Sequence, residues 1–287
     1  MAEASENLVV DKVNSLPRGH WPPRSNAHRL EHLSLRTPQS RRCVTLAASR
    51  RVQGRRVTQD RTHVLGGRKG WMSTRWQRIA RQEGGEDYAA LYADRFRAMA
   101  AKGSDVHGEA NFVTGVTAAP ARVLDAGCGT GRVAARLAQL GYDVVGCDVD
   151  PQMIAVARQQ WPTLDWRVAD LAGLQLNEAF DVVLLAGNVV PLLEPGTLAE
   201  TTSSLAAHVA AHGHLVAGFG LDAAHLPEGC PPLSLATFDA AMADVRMRAC
   251  ERWATWDRQP FQGDGYVVAV YQHVTAVSHE SGVRSSQ

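Results

Sequence analysis

The sequence predicts an α/β fold with a mainly parallel sheet, and three observations support this prediction. A short apolar strand ending at Asp125 is followed by a glycine-rich turn and then by a helical pattern from Arg132. Two further strand patterns end in an acid, with 23 residues from Asp125 to Asp148 and 22 from Asp148 to Asp170. Residues 180–186 form an apolar run, which is typical of a strand buried on both faces.

The glycine turn is the first candidate binding site. Gly127, Gly129 and Gly131 alternate along it, and glycine lets a ligand approach the backbone without meeting a Cβ. The helix that follows directs unpaired N–H groups and a partial positive charge toward the same place. A strand, a glycine turn and a helix in this order predict a nucleotide-type binding corner. A dinucleotide fingerprint starting at Gly127 would need glycine where Arg132 stands, so that pattern is not met.

The acid after the second strand predicts a contact with such a ligand. Asp148 follows the strand pattern of residues 142–147 and, in a right-handed βαβ unit, lies beside the glycine turn. There its carboxylate can accept hydrogen bonds from both hydroxyls of a ribose. Asp150 and Pro151 are then expected to be the N-cap and first residue of a helix that carries Met153.

The stretch Asp-x-Gly-x-Gly-x-Gly, from Asp125 to Gly131, resembles motif I of the class I S-adenosylmethionine-dependent methyltransferases. The resemblance covers residues 122–221 with specific motifs and extends more loosely from Met72 to the end. It implies a three-layer fold with a seven-stranded Rossmann-like sheet whose last strand is antiparallel. It also implies S-adenosyl-L-methionine as the cofactor.

The resemblance assigns roles to the residues at the cleft. In the family, an acid that closes the third strand accepts a hydrogen bond from the adenine amino group, and the next residue donates its backbone N–H to the ring. Asp170 and Leu171 match these two positions. Met153 is expected to pack near the adenine. The cofactor-binding residues implied in this way are Asp125, Gly127, Cys128, Gly129, Gly131, Asp148, Val149, Met153, Asp170, Leu171 and Ala186.

Residues that follow the fourth strand predict how the sheet is completed. We expect a helix over 195–212 with Gly213 at its end, and then a fifth strand over 214–221. Residues 247–257 and 265–274 alternate as two strands joined by a Pro-Phe-Gln-Gly turn. This closing hairpin resembles the last two strands of the methyltransferase sheet, whereas a dinucleotide-binding domain would end with a parallel sixth strand.

Four residues are candidates for the acceptor site. Residues 73–101 predict a helix on which Tyr88 and Tyr92 share an apolar-aromatic stripe. In many methyltransferases such a helix lies over the cofactor, and simple packing on the domain is the alternative. Asn188 follows the fourth strand and His225 lies in a long loop; a turn residue and a solvated histidine are the alternatives.

The charge is distributed unevenly along the chain. The chain has 30 Lys+Arg and 29 Asp+Glu residues. Residues 1–71 hold 14 of the basic and 5 of the acidic residues, a net charge of +9. The remainder holds 16 basic and 24 acidic residues, a net charge of −8. Adenine methyltransferases of the amino class carry Asn/Asp-Pro-Pro-Tyr/Phe after the fourth strand, but here Ala186 is followed by Gly-Asn-Val-Val-Pro. We therefore expect a small-molecule acceptor and no nucleic acid bound to residues 72–287.

Residues 1–71 show no sustained period and few apolar positions, so we predict a basic, disordered tail. Its arginine pairs leave nucleic-acid binding and a transit peptide as alternatives. A further interpretation is that this stretch is upstream sequence joined to the gene by an early start, and that translation begins at Met72. The predicted domains are a helical cap over 72–121 and a cofactor domain over 122–277.

The predicted chemistry is methyl transfer to an unidentified acceptor. S-adenosylmethionine carries an activated methyl group, so the protein mainly aligns donor and acceptor, and the sequence indicates no catalytic dyad. We predict no metal site. An NAD(P)-dependent oxidoreductase and a non-catalytic module that binds an adenosyl ligand remain the alternatives.

Cysteine usage and hydropathy predict the location of the protein. The five cysteines form no C-x-x-C pair, which indicates free thiols in a reducing cytoplasm. No apolar run reaches the roughly 18 residues that a membrane span needs. The oligomeric state is not predicted.

Overall fold

The computed structural model describes residues 73–274, which form a sheet with helices packed on both faces. The predicted tail, the start at Met72 and the last residues of the predicted cofactor domain lie outside the described residues. The helices are α1 (Arg75–Gly84), α2 (Tyr88–Ala101), α3 (Gly108–Thr114), α4 (Arg132–Gln139), α5 (Pro151–Gln160), α6 (Val189–Leu192), α7 (Leu198–Ala207) and α8 (Leu235–Asp244). The strands are β1 (Arg122–Ala126), β2 (Asp143–Asp148), β3 (Asp165–Val168), β4 (Phe180–Leu185), β5 (Val209–Gly220), β6 (Met247–Trp253) and β7 (Tyr266–His273).

The strand order is β3-β2-β1-β4-β5-β7-β6, with β1 to β5 parallel and β7 antiparallel to both of its neighbours. This confirms the predicted seven-stranded sheet with an antiparallel last strand. The chain moves outward from β1 in one direction through β2 and β3, and then returns to place β4 on the other side of β1. Ligands of α/β sheets bind outside the carboxyl ends of the strands at such a reversal.

The apolar run of β4 is buried on both faces, as predicted. Successive side chains of a strand point to opposite faces, so Val182 and Leu184 join one hydrophobic core while Val183 and Leu185 join the other. The first core is covered by α3, α4 and α5, and the second by α7 and α8. This double cover holds the carboxyl ends of the central strands at fixed positions.

The predicted helix over 195–212 is wrong at its end. Helix α7 ends at Ala207 and β5 already begins at Val209, which pairs with Phe180. Gly213 therefore lies inside a strand and does not stop a helix. A Cβ there would lie 2.8 Å from the carbonyl oxygen of Phe180, so glycine is required by the close approach of two strand backbones beside a register shift.

The helical pattern of residues 73–101 divides into two helices. Thr74 caps α1 through a capping box with Gln77, and the helix ends at Gly84. Gly85 has a φ of +64°, and a single 3-10 turn leads from it into α2. Among residues 73–274, no helix combines the length and hydropathy that crossing a membrane would require.

We predict that Gly146→Ala destabilises the fold. A Cβ at Gly146 of β2 would lie 2.4 Å from Cζ3 and 2.5 Å from Cε3 of Trp166, whose side chain is buried. Overpacking of this kind costs about 1–3 kcal/mol of unfolding free energy, which urea denaturation measures. Gly173→Ala is the control, because nothing lies within 4 Å of the Cβ that it adds. Equal losses in the two variants would contradict the steric argument.

Candidate functional site

The glycine turn is held against the end of β2. The backbone N–H groups of Gly127 and Cys128 both donate to the carbonyl of Cys147, at 2.8 and 2.9 Å. Gly127 and Gly131 each have a φ of +82°. A Cβ at Gly127 would lie 2.5 Å from Cγ2 of Val189, so the turn fits against α6 only without a side chain. The backbone therefore forms the floor of the cleft.

The carboxylate of Asp125 is buried beneath this turn. Its Oδ2 accepts a hydrogen bond from the N–H of Ala134, at 3.1 Å, in the first turn of α4. Burial raises the pKa of Asp125 to about 7, against the opposing effects of the Ala134 N–H and the Arg132 guanidinium. Asp125 thus joins β1 to the start of α4 and also faces the cavity described below.

Asp148, at the end of β2, is bonded by backbone groups on both sides. Its Oδ2 accepts from the N–H of Gly129 at 2.8 Å, and its Oδ1 accepts from the N–H of Asp150 at 2.9 Å. Burial raises the pKa of Asp148 to about 6, although both backbone hydrogen bonds favour the charged form. The glycine turn and the start of α5 are therefore fixed by one carboxylate.

A buried ion pair beside the turn is not evident from the sequence. The Arg132 guanidinium makes a bidentate contact with Glu109 of α3, at 2.9 and 2.5 Å, and also donates to the carbonyl of Val106. It lies over the ring of Phe96, 4.4 Å from the centroid. Burial alone would raise the pKa of Glu109, but Arg132 lowers it below its ordinary value. In the sequence, Arg132 marks the start of a helix and excludes a dinucleotide fingerprint, but no local pattern links it to a residue 23 positions away.

A cavity lies at the carboxyl ends of β1, β2 and β4. All the predicted cofactor residues except Gly131 line it, and they are Asp125, Gly127, Cys128, Gly129, Asp148, Val149, Met153, Asp170, Leu171 and Ala186. Gly131 instead precedes α4, and its N–H donates to the carbonyl of Cys128. The roles of these residues toward a cofactor remain predictions.

The sequence does not indicate several other residues of the cavity wall. Thr74 and Trp76, at the start of α1, contribute one side of it, while Leu192, Leu193 and Glu194 contribute another. The start of α1 is bonded to this second side, because the Arg75 backbone N–H donates to the Glu194 carboxylate and the Arg75 guanidinium donates to a backbone carbonyl of α6. Helix α1 thus forms part of the cavity wall.

Of the four predicted acceptor-site residues, Tyr92 lines the cavity and the other three do not. The Tyr88 hydroxyl donates to the Asp150 carboxylate. Asn188 is buried, and its amide accepts from the N–H of Gly220 at 2.7 Å and donates to the carbonyl of His225 at 3.0 Å. These contacts indicate that Tyr88 and Asn188 support the walls of the site.

His225 also lies outside the cavity lining. Its Nδ1 is 2.8 Å from Oδ1 of Asp222, which also accepts from the N–H of Ala224 at the start of a short 3-10 turn. The acceptor contacts predicted for Tyr88, Asn188 and His225 are not supported by this geometry and remain predictions. Within residues 73–274 no group of three or more His, Cys, Asp or Glu side chains could hold a metal ion.

We predict that Asp125 makes stability depend on pH. Its pKa of about 7 in the folded protein exceeds the ordinary 3.8, so the folded protein retains a proton that the unfolded chain has released. The resulting stability is present below about pH 4 and is lost as the pH rises to about 7. Relative to Asp125→Asn, the wild-type free energy of unfolding should fall by about 1–3 kcal/mol between pH 5 and 8 in urea titrations without cofactor.

The matched control for this experiment is Asp264→Asn, which changes an exposed acid in the loop before β7. This variant should follow the wild-type pH dependence. The prediction is contradicted if Asp125→Asn follows it as well.

Comparison with known proteins identifies the family. A family model described as a methyltransferase domain matches residues 123–213. The chain is 38% identical over 74 residues to a magnesium-protoporphyrin O-methyltransferase of Rhodobacter capsulatus, and 47% identical over 70 residues to a ubiquinone biosynthesis O-methyltransferase of Cereibacter sphaeroides. These matches cover 24% and 22% of this chain, and 33% and 28% of the two relatives. The chain thus spans about a third of the length of these curated relatives.

A solved structure matches over a larger part of the chain. The crystal structure of a TehB-like SAM-dependent methyltransferase from Corynebacterium glutamicum superposes with a TM-score of 0.59 and is 33% identical. The match covers 65% of this chain and 98% of that one. With the sheet order and the motif I turn, this similarity shows that the chain belongs to the S-adenosylmethionine-dependent methyltransferases.

Proposed function

We propose that this chain transfers the methyl group of S-adenosylmethionine to a small-molecule acceptor. The observation that carries the proposal is the cavity in which the motif I turn and three strand-end acids, Asp125, Asp148 and Asp170, face the same space. Side chains from α1, α2 and the segment after β4 form its remaining wall. This arrangement offers a place for a methyl donor with room beside it for an acceptor.

The cofactor is proposed to lie across the ends of β1, β2 and β3. The Asp148 carboxylate would accept from the ribose hydroxyls, and the backbone of the glycine turn would approach the methionine part of the ligand. Asp170 accepts from the N–H of Ala172 through Oδ1, and we assign its Oδ2 to the adenine amino group. Leu171 and Met153 supply apolar contacts on this side of the cavity.

The lining charges favour an acceptor that is neutral or cationic. Among the described residues that line the cavity, Asp125, Asp148, Asp170 and Glu194 are acids and Arg132 is the basic residue. The Arg132 charge is already compensated by Glu109. Glu194 is paired with Arg78 at 3.4 Å, and Asp125, with a pKa of about 7, is only partly charged at neutral pH. The remaining negative charge of Asp148 and Asp170 opposes an anionic acceptor and favours the cationic sulfonium of the cofactor.

The proposed mechanism rests on alignment of the reacting groups. The sulfonium already activates the methyl group, so the chain contributes a fixed donor position and apolar walls that exclude water. The residues Trp76, Leu192 and Leu193 are suited to the second task because they cover the cavity with apolar surface. A general base is needed only for an acceptor that is a weak nucleophile, and we assign none.

We retain the proposed division into a helical cap over 72–121 and a cofactor domain over 122–277. The contribution of Trp76 and Tyr92 to the cavity wall supports a cap that completes the site.

We also propose a cytoplasmic location. The four described cysteines are free thiols, which supports a reducing compartment.

We predict that the full chain binds S-adenosylhomocysteine with micromolar or tighter affinity, and that Asp148→Ala weakens this binding. Loss of hydrogen bonds to a charged group costs about 1.5–3 kcal/mol, measured by calorimetric titration. Asp165→Ala, which removes an exposed acid at the start of β3, should bind as the wild type does. Unchanged affinity in Asp148→Ala would remove the ribose assignment, and tight binding of NADH instead would favour the oxidoreductase.

We also predict that residues 72–287 bind neither duplex DNA nor tRNA. Their net charge of −8, from 16 basic and 24 acidic residues, repels a polyanion. Filter binding at about 150 mM salt should show no saturable complex, at a screening length of about 8 Å. Binding of S-adenosylhomocysteine by the same preparation is the control that the shortened chain is folded. Salt-resistant binding of either nucleic acid would overturn the small-molecule assignment.

A further inference from the structure

The carboxylate of Asp150 has more partners than a helix cap requires. Its Oδ1 accepts from the N–H of Gln152 at 2.9 Å, which is the usual bond of an N-cap residue. Its Oδ2 accepts from the indole N–H of Trp76 at 3.1 Å and from the hydroxyl of Tyr88. Asp150 is 0% exposed, so these side-chain donors compensate an oxygen that water does not reach.

The backbone of the same residue is bonded to the proposed ribose acid. The N–H of Asp150 donates to Oδ1 of Asp148 at 2.9 Å, while the N–H of Gly129 donates to Oδ2. Two sets of contacts therefore meet in this one residue. Its side chain holds the N-terminal helices, and its backbone holds the carboxylate at the end of β2.

The two donors on the N-terminal helices belong to one aromatic cluster next to the cavity. The rings of Trp76 and Tyr88 meet edge to face, with centroids 6.4 Å apart. Trp76 lines the cavity, and Tyr88 packs with Met153, which also lines it. Movement of α1 and α2 away from Asp150 would consequently open the wall of the cavity on the side of Met153.

We propose that Asp150 is a positioning residue that couples the seating of α1 and α2 to the occupancy of the cofactor site. This inference rests on the proposed function, because it requires an adenosyl ligand on Asp148. A ligand that fixes Asp148 also fixes the backbone of Asp150, and Oδ2 then presents a fixed acceptor to Trp76 and Tyr88. Without those two bonds, the helices would contact the ligand only through the side chains that line the cavity, such as Trp76 and Tyr92.

Asp150→Asn separates the two tasks of this side chain. Asparagine is as good an N-cap as aspartate, so the bond to Gln152 remains, but an amide nitrogen cannot accept from Trp76 and Tyr88. We expect the dissociation constant for S-adenosylhomocysteine to rise about five- to tenfold in the full chain. In hydrogen exchange, the ligand should protect amides of residues 76–92 in the wild type and protect them less in this variant.

Two conservative variants keep the test decisive if Asp150→Asn does not fold. Tyr88→Phe and Trp76→Phe each remove one donor and retain an aromatic ring, so both should show the same loss of ligand-dependent protection. Tyr142→Phe is the matched control, because that hydroxyl donates to the carbonyl of Thr117, and neither residue lines the cavity. The control should bind the ligand as the wild type does.

The outcomes distinguish this inference from the proposed function. If the wild type binds S-adenosylhomocysteine and the Asp150, Tyr88 and Trp76 variants retain both affinity and protection, the coupling is refuted and the proposed function stands. A wild type that does not bind the ligand at all would overturn both. Reduced protection in these three variants together with normal behaviour of Tyr142→Phe supports the coupling.

Discussion

The cleft depends on the attachment of one glycine turn to the end of β2. The carbonyl of Cys147 accepts two successive N–H groups of the turn, and the Asp148 carboxylate accepts a third from Gly129. Because α4 starts directly after the turn, these bonds also set the direction of that helix and of the N–H groups at its end. The position of the Val189 side chain explains why the turn cannot carry a Cβ at Gly127.

Two of the acids at this cleft, Asp125 and Asp148, are placed where burial opposes their charge. Asp125 and Asp148 have raised pKa values, whereas Arg132 and Glu109 compensate each other in a bidentate pair. The carboxylates that face the cavity thus lack a nearby free cation among the lining residues. A ligand that brings its own positive charge, as a sulfonium does, relieves this imbalance, and such a site favours the charged cofactor electrostatically.

The parts of the structure that were predicted from the sequence depend on short-range patterns. The strand, turn and helix around Asp125, the N-cap at Asp150 and the alternation in the closing hairpin are each encoded within a few residues. The pair of Arg132 and Glu109 could not be predicted, because it joins two elements 23 residues apart without a local signature.

Other features that the sequence does not predict also depend on contacts between elements distant in the chain. The amide of Asn188 is used by the backbone near the end of β5, so its role depends on a tertiary contact. The start of β5 at Val209 depends on pairing with Phe180. Trp76 reaches the cavity wall only because α1 packs across it, and helical periodicity does not specify where a helix packs.

The placement of α1 has a consequence for the order in which the molecule assembles. Although α1 precedes the sheet in the chain, Trp76 bonds to Asp150, which lies 74 positions later, and Arg75 bonds to Glu194, which lies 119 positions later. During synthesis from the N-terminus, α1 emerges from the ribosome before either partner exists and must wait for the segment after β4. Closing such long loops carries an entropic cost that local contacts do not repay. Helix α1 is therefore synthesised before the sheet and packs onto it only after the central parallel strands have been synthesised.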